Sequence, residues 1–485
     1  MVWALVIVYG LALLFLFVFS IAQLHLAWLY RKTPPRPAAQ PLGPNDSLPY
    51  VTVQLPVYNE KYVVERLIHA VAAFDYPADK LEIQILDDST DETSTLIRQT
   101  VESLRHKNLD IQWLHRETRE GFKAGALDCG FKTARGEFIA IFDADFVPRP
   151  DFLNRTLPYF TQPRVGVVQT RWEHLNRDYS LLTQLQAFGL DAHFSVEQRG
   201  RSVAGSFINF NGTCGIWRKQ AIAEAGGWKF DTLTEDLDLS YRAQLKGWQF
   251  CFAEDVGVPG ELPIIMPAVK SQQYRWNKGG AETARKLIRS VLTSALPWRN
   301  KVHAFFHLFN SSVFVALLVA ALLSVPVLFL QAHNPDLKKI LLIGGVFLVG
   351  FFSIAWFYWT AAQRFYEAPA KRFAKLFPGF LVVSMGLSWH NALAVIEGWW
   401  GRATPFVRTP KFNVINPHDA WRGNVYASWR GSRGAWFEWV LMCYFLFGCL
   451  SAFWLREYGL LFFHVLLTLG FGSVAWLSSK HAAHA

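Results

Sequence analysis

Phe138-Ile139-Ala140-Ile141-Phe142-Asp143-Ala144-Asp145 is the stretch on which the fold turns. Its unbroken apolar run reads as a buried strand, and two carboxylates one residue apart follow at once. Upstream, Tyr50 to Leu55, Leu81 to Leu86 and Leu109 to Leu114 are short β-branched runs that also read as strands, with Phe138 to Phe142 as the fourth. Helix-period segments, Val63 to Ala73 and Lys123 to Ala134, lie among them. Strand and helix in alternation predict a parallel sheet with right-handed crossovers. In such sheets ligands gather beyond the carboxyl ends of the strands.

Those ends carry polar groups. The first strand runs into Pro56-Val57-Tyr58-Asn59-Glu60, the second into Asp87-Asp88-Ser89-Thr90-Asp91, and the fourth into Asp143-Ala144-Asp145. No GxGxxG or GxxxxGK[ST] is present, so neither a dinucleotide fingerprint nor a P-loop accounts for this edge. An isolated Asp-x-Asp is more often a solvated turn than a site. Its position after a buried strand, with acids at neighbouring strand ends, favours a hard cation such as Mg²⁺ or Mn²⁺, which binds one or two carboxylates together with substrate phosphates. A diphosphate is the guest this edge suits.

The remainder of the chain belongs to lipid. Of 485 residues 52% are hydrophobic and only 18% charged, below the roughly 25% charged of soluble domains. Val2 to Trp28 lacks Asp, Glu, Lys and Arg and is long enough as a helix to cross a core of about 30 Å. Arg31 and Lys32 follow it, so the run reads as an anchor with the chain beyond it cytoplasmic. Apolar segments return at Phe305 to Leu330, Ile340 to Ala362, Leu376 to Ile396, Trp439 to Leu455 and Gly459 to Trp476. Leu376 to Ile396 has basic residues on both flanks and contains Pro378, Gly379, Gly386, His390 and Asn391; it is expected to lie in the interface or re-enter. The expected organisation is an anchor over 1–30, a linker over 31–49, a cytoplasmic α/β domain over 50–280, an interfacial helix over 281–304, and transmembrane and interfacial helices over 305–485. The net charge of +10 does not signal nucleic acid, because Lys and Arg cluster beside apolar segments, where anionic lipid and the positive-inside bias explain them. Five widely spaced cysteines suggest neither a disulfide framework nor a zinc site.

Further on stand Thr234-Glu235-Asp236-Leu237-Asp238 and Gln272-Gln273-Tyr274-Arg275-Trp276. Taken with the DD and DxD sites, these resemble the D, DxD, TED and QxxRW set of processive family 2 glycosyltransferases, in particular the cellulose synthase-like A and C branches. The likeness runs through QILDDSTDET (84–93), GFKAGAL (121–127), LDAHFSVEQ (190–198), FNGTCGIWR (210–218) and TEDLDLSYRAQLKGW (234–248). It implies an α/β GT-A domain, a mostly parallel sheet with helices on both faces, fused to an α-helical transmembrane region. Residues 406–411, Phe-Val-Arg-Thr-Pro-Lys, resemble the FxVTxK gating loop of cellulose synthases, within an expected loop over 400–432, with Arg408 replacing the usual Val.

The resemblance implies a role for each residue. Asp236 is the general base, with Asp238 its nearest rival; Asp143 and Asp145 hold Mg²⁺ or Mn²⁺; Tyr58, Glu60 and Asp87 or Asp88 hold the base and ribose. Lys123 and Arg275 face the phosphates, and Asp143 also contacts the donor. Trp276, Glu235 and Asn211 bind the acceptor, Trp276 by stacking on a sugar face. Phe406, Thr409 and Lys411 form the gating loop. Asn211-Gly212-Thr213 is a sequon, but on the cytoplasmic side it is expected to be an acceptor-side loop. His303, His307, Asn310, His390, Asn391 and Glu397 suit either a glycan path or packing inside a helix bundle. The implied activity is metal-dependent, inverting polymerisation of a β-linked, expectedly β-1,4, glucan or mannan from UDP-glucose or GDP-mannose at the plasma or a bacterial inner membrane. The alternative is addition of one sugar to a lipid. A catalytically dead scaffold is disfavoured by the intact Asp143, Asp145, Asp236 and Arg275.

Overall fold

A computed structural model describes residues 2–34, 48–343, 345, 348–420, 423–427 and 435–482. Most of the predicted 31–49 linker, and residues 421–422 and 428–432 of the predicted loop, lie outside these.

Among the described residues seven strands form one sheet: β1 (Val51–Val57), β2 (Leu81–Asp87), β3 (Asp110–His115), β4 (Phe138–Ile141), β5 (Val165–His174), β6 (Gly215–Arg218) and β7 (Gln249–Gly260). Their order is β3-β2-β1-β4-β6-β5-β7. β1 pairs in parallel with β2 and β4, β2 with β3, and β5 with β7, while β6 runs antiparallel to both neighbours. The central strands are buried on both faces, which explains the unbroken apolar run of β4; the polar residues that β1 and β2 bury pair across the sheet, Thr52 with Glu82 and Gln54 with Gln84. Phe138, Ala140 and Phe142 pack with Leu67, Ile68 and Phe152 on one face; Ile139 and Ile141 pack with Leu127, Ile222 and Leu239 on the other.

The four predicted strands fall within a residue or two of those observed, and the expected helices appear as Val64–Val71 and Phe122–Thr133. Two boundaries differ. The predicted division at 280 falls inside one 28-residue helix, Met266–Thr293, because its only proline stands at the second position, where it is tolerated. The segment expected from Ile340 begins earlier, and its described residues include helices Pro335–Ile343 and Leu348–Phe365.

Among the described residues, four helices are long and apolar enough to cross a membrane: Val2–Lys32, Ser312–His333, Ala435–Leu455 and Leu461–His481. They turn large apolar side chains outward, such as Trp3, Leu11, Leu450, Trp454 and Phe462, as lipid-facing helices do. The segment expected over Leu376 to Ile396 falls in a pair of helices, Pro369–Gly386 and Ser388–Trp400, bent by 50° at Leu387. The bend is the geometry of either a broken span or a re-entrant segment. Helix Met266–Thr293 ties the halves together, its Lys270 paired with the buried Glu438 of helix Ala435–Leu455.

Candidate active site

The strand ends open into a cleft of about 170 Å³. The turn after β1 contributes Tyr58 and Glu60, the turn after β2 contributes Asp88, and the turn after β4 contributes Asp143 and Asp145. Lys123, from the first turn of helix Phe122–Thr133, and Glu235 and Asp236, from the first turn of helix Glu235–Leu245, close the far side. Asn211, Arg275, Trp276, Phe406, Thr409 and Lys411 complete the lining. Fifteen residue positions were expected to form the site, and one, Asp87, does not reach the cleft.

Asp87 is wholly buried. Its carboxylate accepts from Ser89 N at 2.9 Å, Ser94 Oγ at 2.6 Å, Trp113 Nε1 at 3.0 Å and the His115 ring at 3.2 Å. It therefore braces β2 against β3. Asp88 faces the cleft, with Arg116 donating Nε and Nη2 to its two oxygens at 2.7 and 2.6 Å.

Lys123 stands at the centre. Its ammonium donates to Asp143 Oδ1 at 2.5 Å and to the Gly212 carbonyl at 2.9 Å. Burial works to lower its pKa, but Asp143, Glu235 and Asp236 outweigh that and raise it. Asp236 Oδ1 accepts from Leu237 N at 2.8 Å. A Cβ at Gly212 would lie 3.0 Å from Asp236 Oδ2 and 3.5 Å from Lys123 Nζ, and φ is +80° there, so glycine alone fits this close approach. Burial, then the neighbouring Glu235, push the Asp236 carboxyl up to about 7. Burial also raises Glu235, against the pull of Lys123. The rival Asp238 is engaged elsewhere, by Arg242 Nε and Lys286 Nζ, each at 2.8 Å.

The Thr234-Glu235-Asp236 turn is pressed onto the helix that carries Arg275 and Trp276: a Cβ on Gly279 would lie 2.6 Å from Thr234 Cγ2. Arg275 donates to Thr409 Oγ1 at 2.8 Å, and its guanidinium lies 4.7 Å from the Phe406 ring centre. The segment around Thr409 descends into the cleft. Lys411 donates to Asp145 Oδ2 at 2.5 Å, and Arg408 pairs with Glu60 at 2.6 Å. Burial pushes the Glu60 carboxyl up to about 7, against Arg408 and Lys411. Phe406 stacks on Phe122, with ring centres 5.7 Å apart.

Beyond Trp276 lies a second cavity of about 560 Å³ among the apolar helices. Asn211, Asp236 and Trp276 line both spaces. His307 and Asn310 line the second cavity, whereas His303 stacks on His25 and Glu397 accepts from Tyr274. His390 contacts the Lys270 carbonyl at 2.9 Å, and Asn391 is buried.

Three further residues escaped the motif reading. Arg119 lies 3.4 Å from the centre of the Tyr58 ring. Trp172 lines both cavities. Glu261, just after β7, accepts from Phe412 N at 2.8 Å and Asn413 N at 3.1 Å and so anchors the inserted segment. Glu261 carries the same signal, an acid directly after a strand, that marks Asp143 and Asp145.

Residues 49–279 match the family model described as glycosyltransferase-like family 2. A probable glucomannan 4-β-mannosyltransferase 4 of Oryza sativa subsp. japonica is 44% identical over 285 residues, 57% of this chain and 51% of the relative. Glucomannan 4-β-mannosyltransferase 2 of Arabidopsis thaliana is 40% identical over 300 residues, 61% of this chain and 56% of the relative. The chain spans about half the length of these curated relatives. Among solved structures, a mannosyltransferase from Pyrobaculum calidifontis in complex with GDP-Man and Mn²⁺ shares the fold at a TM-score of 0.58, with 21% identity, covering 82% of this chain and 100% of that one. Over residues 49–279 the chain is thus similar to the family 2 glycosyltransferases, and its fold is of the GT-A type.

Proposed function

We propose that the chain is a membrane-integrated, inverting hexosyltransferase that polymerises a β-1,4-linked mannan or glucan from a nucleotide sugar, its catalytic domain on the cytoplasmic face. The observation that carries this reading is the meeting of Asp236, Asp143, Asp145, Arg275 and Trp276 around one cleft that adjoins a cavity among apolar helices. The names of the plant relatives, which specify 4-β-mannosyl transfer, favour a mannosyl donor such as GDP-mannose over UDP-glucose.

In this reading Tyr58, Glu60 and Asp88 receive the nucleoside, while Lys123 and Arg275 lie along the diphosphate. The acceptor sugar stacks on Trp276 beside Asn211 and Glu235. Asp236 Oδ1 is held by Leu237 N, which leaves Oδ2 to take the proton of the acceptor hydroxyl. The hydroxyl oxygen attacks the anomeric carbon as its bond to the diphosphate breaks, and an α-linked donor yields a β-linked product. General-base help of this kind is worth about 10²- to 10⁴-fold, and a carboxyl raised toward neutrality is suited to it.

The residues present fit a divalent cation. Asp143 and Asp145 offer hard oxygen donors, and each now faces an ammonium group, Lys123 or Lys411, whose positive charge a cation would match. No cluster of three or more candidate ligands exists among the described residues, so water and donor phosphates would fill the rest of the shell, as is usual for Mg²⁺. When bound, Mg²⁺ or Mn²⁺ supplies Lewis-acid relief of charge on the departing diphosphate.

Purified protein incubated separately with GDP-mannose, UDP-glucose and UDP-N-acetylglucosamine tests the proposal. The expected result is a ladder of β-1,4-linked oligosaccharides from GDP-mannose. A single glycolipid would overturn the polymerase reading, and no sugar transfer from any donor would overturn the whole.

A further inference from the structure

The segment Leu190-Asp191-Ala192-His193-Phe194-Ser195-Val196-Glu197-Gln198 has no role in the mechanism above, yet its backbone departs from the regular pattern. Between helices Leu181–Ala192 and Gln198–Val203 the chain makes one π turn, His193–Glu197. Such bulges recur at functional sites because they re-aim a side chain without ending the helix. Here the turn sets His193 over Glu197: His193 Nδ1 lies 2.9 Å from Glu197 Oε2, while Arg201 Nη2 donates to Glu197 Oε1 at 2.8 Å. Burial would raise the Glu197 carboxyl, yet His193 and Arg201 hold it below the usual range. A carboxylate gripped from behind by a buried arginine is a fixed acceptor for Nδ1–H, and it sets the direction of the ring's other nitrogen.

That other nitrogen points toward the reaction. His193 Nε2 lies 3.3 Å from Asn211 Oδ1, which already accepts from Asn209 Nδ2 at 2.7 Å. Asn211 Nδ2 is buried without a hydrogen-bond partner. A buried amide donor left unpaired is costly unless a ligand completes it. His193, Glu197, Asn209 and Asn211 line the second cavity together with Asp236 and Trp276. A sugar stacked on Trp276 with one hydroxyl at Asp236 would present its remaining ring hydroxyls to this wall.

We propose that His193 and Asn211 bind ring hydroxyls of the acceptor's terminal sugar, with Glu197 a positioning residue that orients His193 through the π turn. The chemical class recognised is a pyranoside with free vicinal hydroxyls beside the one that reacts. The inference rests on the glycosyltransferase reading above, because it needs an acceptor between Trp276 and Asp236.

The experiment uses the full chain in lipid nanodiscs, with GDP-mannose as donor and β-1,4-mannotetraose as added acceptor. It compares wild type with His193→Ala and Glu197→Gln. Acceptor KM, kcat, the ratio of free GDP to transferred mannose, and donor Kd are measured for each. His193→Ala is expected to raise acceptor KM about tenfold, the scale of one lost hydrogen bond, and to shift turnover toward GDP release, with donor Kd unchanged. Glu197→Gln keeps an acceptor for Nδ1–H and is expected to show the same split at about threefold. Unchanged acceptor KM in both variants overturns the inference. So does a parallel loss of donor binding and acceptor KM, the mark of a residue that merely braces the helices. Failure of the wild type to transfer mannose or glucose overturns the functional reading itself, and this inference with it; only failure confined to the variants singles out the inference.

Discussion

Along one bank of the cleft, Glu60, Asp143 and Asp145 stand beyond β1 and β4; along the other, Arg408, Thr409 and Lys411 ride on a stretch without regular structure after helix Ser388–Trp400. The first bank is held by sheet hydrogen bonds and two apolar layers. The second is held chiefly by the first: Lys411 by Asp145, Arg408 by Glu60, and the backbone of Phe412 and Asn413 by Glu261. A carboxylate bank can be specified by a local pattern of strand followed by acid. A cationic bank that answers it from 266 residues away in the chain depends on the whole fold. The contrast also locates sensitivity, because a segment held by charge responds to whatever neutralises those carboxylates.

The largest expected effect breaks the first bank. Asp145→Asn removes both the partner of Lys411 and half of the proposed cation site. Transfer is expected to fall about 10³-fold, with the residual activity no longer rising on Mn²⁺ titration after chelation. Retained Mn²⁺ dependence would mean that the cation sits elsewhere.

A smaller effect comes from pH. As the proposed base, Asp236 would act only when ionised, and its carboxyl is pushed up to about 7. kcat/KM is therefore expected to fall as pH drops below about 7, approaching tenfold per pH unit, rather than holding down to the ordinary aspartate range near 4. A pH profile flat between 5 and 7 would contradict the assignment.

The smallest effect sharpens the second bank. Arg408→Val restores the residue usual in the gating-loop pattern and strips Glu60 of its cation. Because the Glu60 carboxyl already titrates at about 7, it can take up a proton when left alone, and the loss is expected to be about fivefold or less in kcat/KM rather than the larger penalty of a stranded charge. A greater loss, measured by steady-state kinetics, would make the Arg408–Glu60 pair part of donor binding.

This asymmetry also explains what could be read from sequence. β4 was legible because a strand buried on both faces reads as an unbroken apolar run that ends where polar residues begin, and β1 to β3 because short β-branched runs stop at polar clusters. β5 was harder, since Gln169, Thr170, Arg171 and Glu173 interrupt its apolar run where the strand approaches the cleft. β6 is only four residues long and joins the sheet antiparallel to both neighbours. Asp87 ends β2 and Asp88 begins the turn after it, one turned into the core and the other to the cleft, so a motif naming both could not say which one meets the ligand. Helix Met266–Thr293 crosses the expected boundary at 280 because charged residues alone do not stop a helix. The contacts of Arg408 and Lys411 depend on distant neighbours, and no local pattern records them.

The central claim is that Asp236 removes the acceptor's proton beside the Asp143 and Asp145 pair. Purified wild type and Asp236→Asn, each supplied with Mn²⁺ and radiolabelled GDP-mannose, test it most directly when donor binding and glycan formation are measured on the same samples. The account predicts equal donor binding and a loss of about 10²- to 10⁴-fold in glycan formation by the Asn variant. Equal glycan formation by both proteins would contradict it.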